Sequence, residues 1–390
     1  MTGDRSPLIY LIAGEPSGDA IGGRLMDALI ERTGGRLRFA GIGGARMAAR
    51  GLESLFPMSD LSLFGAAEVV PKVPLILRRV RETVADIRVV RPDAVVSIDV
   101  PGFSFRVQRK LKDLPVKRIH YVAPTVWAYR PGRARAIAGF LDHLLALLPF
   151  EPPYFEREGL ASTFVGHPVV EEGASLGDGQ RYRATHGIAP DRPILCVLAG
   201  SRRGETGALL PIFGKVLERI AARVPDLHLA LPTVPHVEAA VREAAAGWPL
   251  PATVTTDAHE KYDAFAASRA ALAASGTVSL ELTLARVPMV VAYRLNPLTY
   301  LWLRPQIRVS YASLVNILLD RPVVPEFLQA DCRAEKIAPA LLELLEDGVA
   351  REAQLASLAE GSAAFDPAGE APSLRAADAI LEVIGNGPSR

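Results

Sequence analysis

The sequence predicts an α/β protein of two Rossmann-like domains, each a parallel sheet under helices, facing one another across a cleft. Three observations carry this. Short, continuously apolar runs alternate with amphipathic helical patterns, as a parallel sheet covered on both faces requires. The series occurs twice, on either side of a stretch rich in Glu, Gly and Asp at 169–179 that reads as a linker. The chain's 390 residues exceed what one core ordinarily organises.

The first series opens with a strand at 8–13 and an amphipathic helix at 19–32. Strands follow at 37–42, 94–98, 117–122 and 143–148. The second has strands at 194–199, 227–231, 252–255, 270–273 and 289–292, with a helix at 205–223. From about Ala334 the pattern is helical throughout. Sheets of this kind bind ligands outside the carboxyl ends of their strands.

Composition narrows the function. Lys and Arg number 44 against 43 Asp and Glu, a formal net charge of +1. That balance argues against a polybasic nucleic-acid binder and against an acidic disordered chain. Mean hydropathy is high at +0.19, yet no charge-free run approaches the ~20 residues that span a bilayer. Cys196 and Cys332 stand alone, which suits a reduced, cytosolic setting. The apolar run at 8–13 is too short for a signal peptide and reads as a buried strand.

Common cofactor fingerprints fail. The run from Gly41 begins like GxGxxG but has Arg46 at the last glycine; there is no GxxxxGK[ST]. The stretch His259-Glu260-Lys261-Tyr262-Asp263 lacks the second His of HExxH, so no metal is expected, and no other cofactor.

Three loops after strands are better candidates. Gly14-Glu15-Pro16-Ser17-Gly18-Asp19 has glycines that permit close approach or positive φ, ahead of a helix end suited to an anion; it reads equally as a turn with Asp19 as N-cap. Gly200-Ser201-Arg202 offers a backbone anion nest and a forked guanidinium for phosphate, or simply a solvated basic loop. In Ser275-Gly276-Thr277, Ser275 or Thr277 suits a helix cap. Glu281 beyond it suits two vicinal ribose hydroxyls, or is an unremarkable acid on a surface helix. Together the last two loops suggest a nucleoside diphosphate site.

Asp99 ends an apolar strand, where a carboxylate is costly unless paired or used. It is the acid–base candidate, with a cap for the helix near Ser104 as the plainer reading. His120, Trp127 and Arg130 belong to an aromatic run suited to a sugar or anionic head group, or to core packing with a snorkelling Arg. At 64–80, Val69, Val70, Val73, Leu75, Ile76 and Leu77 are interleaved with Lys72, Arg78 and Arg79, and Pro71 and Pro74 are expected to break regular structure there. The segment suits an anionic membrane surface, or is a helix on the sheet.

The motifs AGEPSGD (13–19), FAGIGG (39–44), SIDVPGF (97–103), IHYVAPTVWAYR (119–130), LPFE (148–151), FVGHP (164–168), AGSRRGE (199–205), ASGTVSLE (274–281) and PMVVAYR (288–294) together resemble the lipid-A-disaccharide synthase family. These are GT-B glycosyltransferases of Gram-negative bacteria, and the resemblance runs from about residue 8 to about 381. It implies a UDP-2,3-diacylglucosamine donor, a 2,3-diacylglucosamine 1-phosphate acceptor, and a β(1→6) disaccharide 1-phosphate with UDP as products. Asp99 then corresponds to the general base, Glu15 to an acid near the sugars, Arg202 to the diphosphate ligand and Glu281 to the ribose ligand. Asn316 corresponds to a cleft-lining asparagine. Pro16 and Ala199 depart from several relatives without removing a charge.

The expected division is residues 1–168 as the acceptor- and membrane-facing domain, completed by a C-terminal helix at 368–390, and 180–367 as the donor domain. The expected setting is the cytoplasmic face of the inner membrane, with which the protein associates peripherally, and the family is compatible with a homodimer. Two other readings fit the residues: another UDP-sugar enzyme such as a UDP-N-acetylglucosamine epimerase, or a non-enzymatic nucleotide-binding membrane scaffold. Charge is split: residues 1–170 hold 23 basic against 17 acidic side chains, and residues 171–390 hold 21 against 26.

Overall fold

A computed structural model describes residues 6–61, 66–296, 299–301, 304–365 and 369–385, with the side chains of 66–72 excepted. The chain divides into two compact units: residues 1–168 with 368–390, and residues 169–367.

Unit 1 is built on six parallel strands: β1 (Leu8–Ala13), β2 (Arg38–Ile42), β3 (Ala94–Ile98), β4 (Lys117–Tyr121), β5 (His143–Ala146) and β6 (Ser162–Phe164), in the order β2-β1-β3-β4-β5-β6. Every residue of β1 and of β3 is buried, which is why both read as unbroken apolar runs. Register is set by pairs such as Ile9 with Ala94 and Ala13 with Ile98. The strand order reverses between β1 and β3, so the crevice above their carboxyl ends is the topological switch point. The C-terminal helix Pro372–Val383 closes this unit. Ala376, Ala377 and Ile380 enter the β1–β3 core, and Asp378 pairs with Arg32 Nε at 2.8 Å.

Unit 2 repeats the plan with β7 (Ile194–Leu198), β8 (His228–Pro232), β9 (Ala252–Thr255), β10 (Ala270–Ala274), β11 (Met289–Tyr293) and β12 (Glu326–Leu328), in the order β12-β11-β10-β7-β8-β9. Its switch point lies between β7 and β10. The helix Arg203–Ala221 covers one face with Leu209, Phe213, Val216 and Ile220.

Two local expectations change. Pro71 and Pro74 do not interrupt the chain: a single helix runs Ala66–Val90 through both. Each proline withdraws one N–H near the helix start, and the long run beyond them propagates unbroken. The segment 169–179, read as a linker, folds onto unit 2 as the 3-10 turns Pro168–Glu172 and Ala174–Leu176, with Ala174 in that unit's core.

Candidate active site

In unit 1 the switch-point crevice is lined by the residues that follow β1 and β3. Asp99 and Val100 adopt φ of +52° and +44°. Consecutive non-glycine residues in the left-handed region, one of them β-branched, cost about 1–3 kcal/mol each and persist only when held. They are held here by backbone bonds. Asp99 N donates to Tyr121 O at 3.0 Å, Ser104 Oγ donates to Asp99 O at 2.8 Å, and the Phe103 and Ser104 N–H groups donate to Val100 O. The helix Pro101–Arg109 starts without a side-chain cap, so the Asp99 carboxylate is not spent on capping it. Burial pushes the Asp99 carboxyl above its ordinary range, opposed in part by the Val100 N–H.

The first loop presses against this turn. A Cβ on Gly14 would lie 3.1 Å from Val100 Cγ2, so the loop uses glycine for close approach. Neither Gly14 nor Gly18 has positive φ. Glu15 is extended at φ −142° in the N-cap position of the helix Pro16–Thr33, and Ser17 is exposed.

Asp19 is not that helix's cap. It is buried in the first turn, where its carboxylate accepts from the N–H groups of Gly44 (2.8 Å), Arg46 (2.9 Å) and Met47 (3.1 Å). It therefore anchors the FAGIGG loop at the start of the helix Ala45–Ala48.

The aromatic run is mostly interior. His120 is fully buried on β4, with Nδ1 2.8 Å from Ser97 Oγ and its ring against Phe105; burial pushes it down to about 3, so it is neutral. Trp127 is buried too, its Nε1 donating to Glu151 Oε1 at 3.1 Å. The plainer core-packing reading therefore holds for His120 and Trp127. The LPFE motif thus supplies Trp127's partner, a pairing across 24 residues that sequence alone does not reveal. Arg130 is exposed where the run ends.

In unit 2 a cavity of about 410 Å³ opens at the β7/β10 switch point. It brings together Gly200, Ser201, Arg202, Ser275, Gly276, Thr277 and Glu281. Gly200 has φ +97°, a backbone conformation that favours glycine. Arg202 projects with 80% of its side chain exposed, and its Nη1 lies 2.9 Å from Glu205 Oε1. No side-chain cap forms on the helix Val278–Leu284, because Ser275 Oγ donates to Ala312 O at 2.9 Å and Thr277 is already helical.

Glu281 is buried, with Oε2 2.6 Å from Lys261 Nζ. Burial outweighs the pull of Lys261, so the Glu281 carboxyl lies above its ordinary range. Sequence reasoning missed Lys261, having read the 259–263 stretch only for a second metal-binding His.

Asn316 stands apart from this cavity. It is fully buried, its Nδ2 donating to Val324 O (2.8 Å) and Glu326 Oε1 (2.7 Å), and its Oδ1 accepting from Val324 N. The side chain staples the chain ahead of β12, and both of its amide hydrogens are committed there.

On the helix Ala66–Val90, Val73 and Leu77 are exposed, Leu75 and Ile76 half-buried, with Ile76 on the unit-1 core. Arg78 pairs with Glu82 (2.7 Å); Arg79 pairs with both Asp60 and Glu82 (2.6 Å each) and stacks over Phe56. Arg79 is thus part of the packing and not an unbalanced surface cation. Val69 and Val70 lie outside the described side chains. Among the described residues no helix is long and apolar enough to cross a membrane, and no three His, Cys, Asp or Glu gather as a metal site.

Comparison with known proteins agrees with the two-sheet fold. Among solved structures, the S. aureus MnaA–UDP co-structure superposes with a TM-score of 0.69 at 14% identity, covering 98% of this chain and 99% of that one. The Acinetobacter baumannii MurG structure gives 0.60 at 14%, covering 96% and 99%. These likenesses speak to the fold, which is GT-B. Sequence relatives are far nearer. The lipid-A-disaccharide synthase of Rhodospirillum centenum is 58% identical over 379 residues, covering 97% of this chain and 94% of the relative. That of Paramagnetospirillum magneticum is 52% identical over 384 residues, covering 97% and 98%. The model of the lipid-A-disaccharide synthetase family matches residues 9–365, and the chain belongs to that family.

Proposed function

We propose that this chain condenses UDP-2,3-diacylglucosamine with 2,3-diacylglucosamine 1-phosphate, giving the β(1→6) lipid A disaccharide 1-phosphate and UDP. The observation that carries the reading is the family match over 9–365, together with a nucleotide-sized cavity at the second sheet's switch point.

In this reading the acceptor 6-hydroxyl oxygen attacks the anomeric carbon of the donor from the face opposite UDP. A carbon–oxygen bond forms, the bond to the β-phosphate oxygen breaks, and the configuration inverts. Asp99 takes the hydroxyl proton; its desolvation makes it a stronger base than an exposed carboxylate. The departing diphosphate charge is met by Arg202 and by backbone N–H groups around Gly200 and Gly276. Glu281 receives ribose hydroxyls. Glu15, at the head of the first helix, orients a sugar, and Arg130 is an exposed cation suited to the acceptor phosphate.

The exposed Val73 and Leu77 suit contact with acyl chains or the anionic inner-membrane surface, each buried CH₂ being worth about 0.8 kcal/mol. The enzyme then works peripherally at that membrane.

UDP release tests the reading. It should require both diacylated substrates together. Conversion of UDP-N-acetylglucosamine without a lipid acceptor would instead favour an epimerase.

A further inference from the structure

Within the unit-2 cavity, Lys261, half-buried beside the buried Glu281, has no role in the mechanism above. We propose that Lys261 is a positioning residue for ribose recognition: it fixes Glu281 as a carboxylate, with Oε2 committed and Oε1 left to receive the vicinal hydroxyls of a uridine nucleotide. This rests on the reading of the cavity as the UDP site.

The geometry supports it from several sides. Lys261 projects from the helix Ala258–Ala267 into the cavity wall and reaches Glu281 Oε2 at 2.6 Å. The contact is an ion pair in which charge attraction counts for more than hydrogen bonding. The ammonium is confined by aromatic rings, with Nζ 4.8 Å from the Tyr262 centroid and 5.8 Å from that of Phe265.

The other groups facing Glu281 cannot replace it. Glu172, on the turn Pro168–Glu172, is a like charge, and Cys196, on β7, is a buried thiol held neutral. Without Lys261, a carboxylate in this position would face desolvation and a like charge together and would take up a proton. A protonated Glu281 loses acceptor capacity, and ribose hydroxyls would be received less well. Phosphate recognition, which falls to Arg202 and backbone groups, would continue.

The test measures the affinities of UDP and 2′-deoxy-UDP by calorimetry between pH 6 and pH 8.5 for wild type, Lys261→Met, Lys261→Arg, Glu281→Gln and the Lys261→Met/Glu281→Gln double variant. Wild type should prefer UDP over 2′-deoxy-UDP by about two- to tenfold, the worth of one hydrogen bond, at every pH. Lys261→Met should lose that preference at pH 6 and regain it as pH rises, while binding 2′-deoxy-UDP almost as wild type does. Lys261→Arg should restore it. Glu281→Gln should lack it at every pH, and the double variant should behave as Glu281→Gln does.

A Lys261→Met variant that keeps the preference at pH 6, or that loses affinity for both nucleotides equally, would overturn the proposal alone. Should that variant fail to fold, a Lys261→Arg protein without the preference would do so. Folded wild type without affinity for UDP would overturn the UDP reading and this proposal with it.

Discussion

Val100 packs closely on Gly14 in unit 1: a Cβ at position 14 would stand 3.1 Å from Val100 Cγ2 and 3.2 Å from Leu61 Cβ. The strained residue beside Asp99 is thus seated on the loop that carries Glu15. Gly14 has ordinary φ, so Gly14→Ala changes space without changing backbone preference. It should displace Val100 and Asp99 and lower kcat by about tenfold or more, with UDP affinity unchanged. Steady-state kinetics with nucleotide calorimetry decide this, and an unaltered kcat would show that the contact does not position Asp99.

Asp99→Asn should lower kcat by roughly 10²–10⁴, the usual worth of a general base, and leave UDP binding intact because the cavity proposed for the nucleotide belongs to the other unit. The base must be ionised, and burial raises its pKa. The acid limb of the wild-type pH–rate profile should therefore lie above that of an exposed aspartate. The sign for stability is the reverse. An acid whose folded pKa is raised contributes stability at low pH that is lost as pH rises through the folded value. Asp99→Asn should accordingly melt higher than wild type at pH 7.5, with the gap closing toward pH 4.

Arg202→Ala should weaken UDP binding by about ten- to hundredfold, given 1.5–3 kcal/mol for hydrogen bonds to charged groups. With the diphosphate charge met by this side chain and by backbone N–H groups, transfer should proceed unchanged in EDTA. Activity abolished by EDTA and restored by magnesium would contradict the metal-independent assignment.

Glu151 provides a pH-dependent structural test. Its carboxylate accepts from Trp127 Nε1 and from the Leu147 and Leu148 N–H groups, while burial raises its pKa from 4.5 to about 7. Its contribution to stability should decline as pH rises from about 4.5 to about 7. Glu151→Gln should remove that slope, and should cost about 1–3 kcal/mol in addition because an amide N–H₂ must face a donor. Melting temperatures of the two proteins across this range measure both effects.

Val73→Ser with Leu77→Ser should reduce sedimentation with anionic liposomes while leaving the melting temperature close to wild type, since both side chains are exposed. Full sedimentation of the folded double variant would contradict the proposed membrane contact of this helix.

Much of this protein could be read from sequence, and the limits are physical. The ten strands expected from apolar runs are present, most shifted by a residue or two at an end. The two edge strands Ser162–Phe164 and Glu326–Leu328 were missed, because three half-buried residues carry no period. That the Gly200 and Ser275 loops line one cavity was legible because both follow strands and carry glycine where the chain turns. Lys261 was not, because its partner lies 20 residues away on another helix and only the fold joins them. Asn316, His120 and Asp19 show the converse. Polar residues in a motif look available for ligands until the structure shows their bonds spent on the backbone or on buried neighbours.

The central claim is tested most directly by supplying the purified protein with UDP-2,3-diacylglucosamine and 2,3-diacylglucosamine 1-phosphate and analysing the products by mass spectrometry. The account predicts a tetraacylated disaccharide 1-phosphate and UDP in equal amounts, formed by wild type and nearly absent with Asp99→Asn. Folded, UDP-binding protein that forms no disaccharide from these substrates would contradict it.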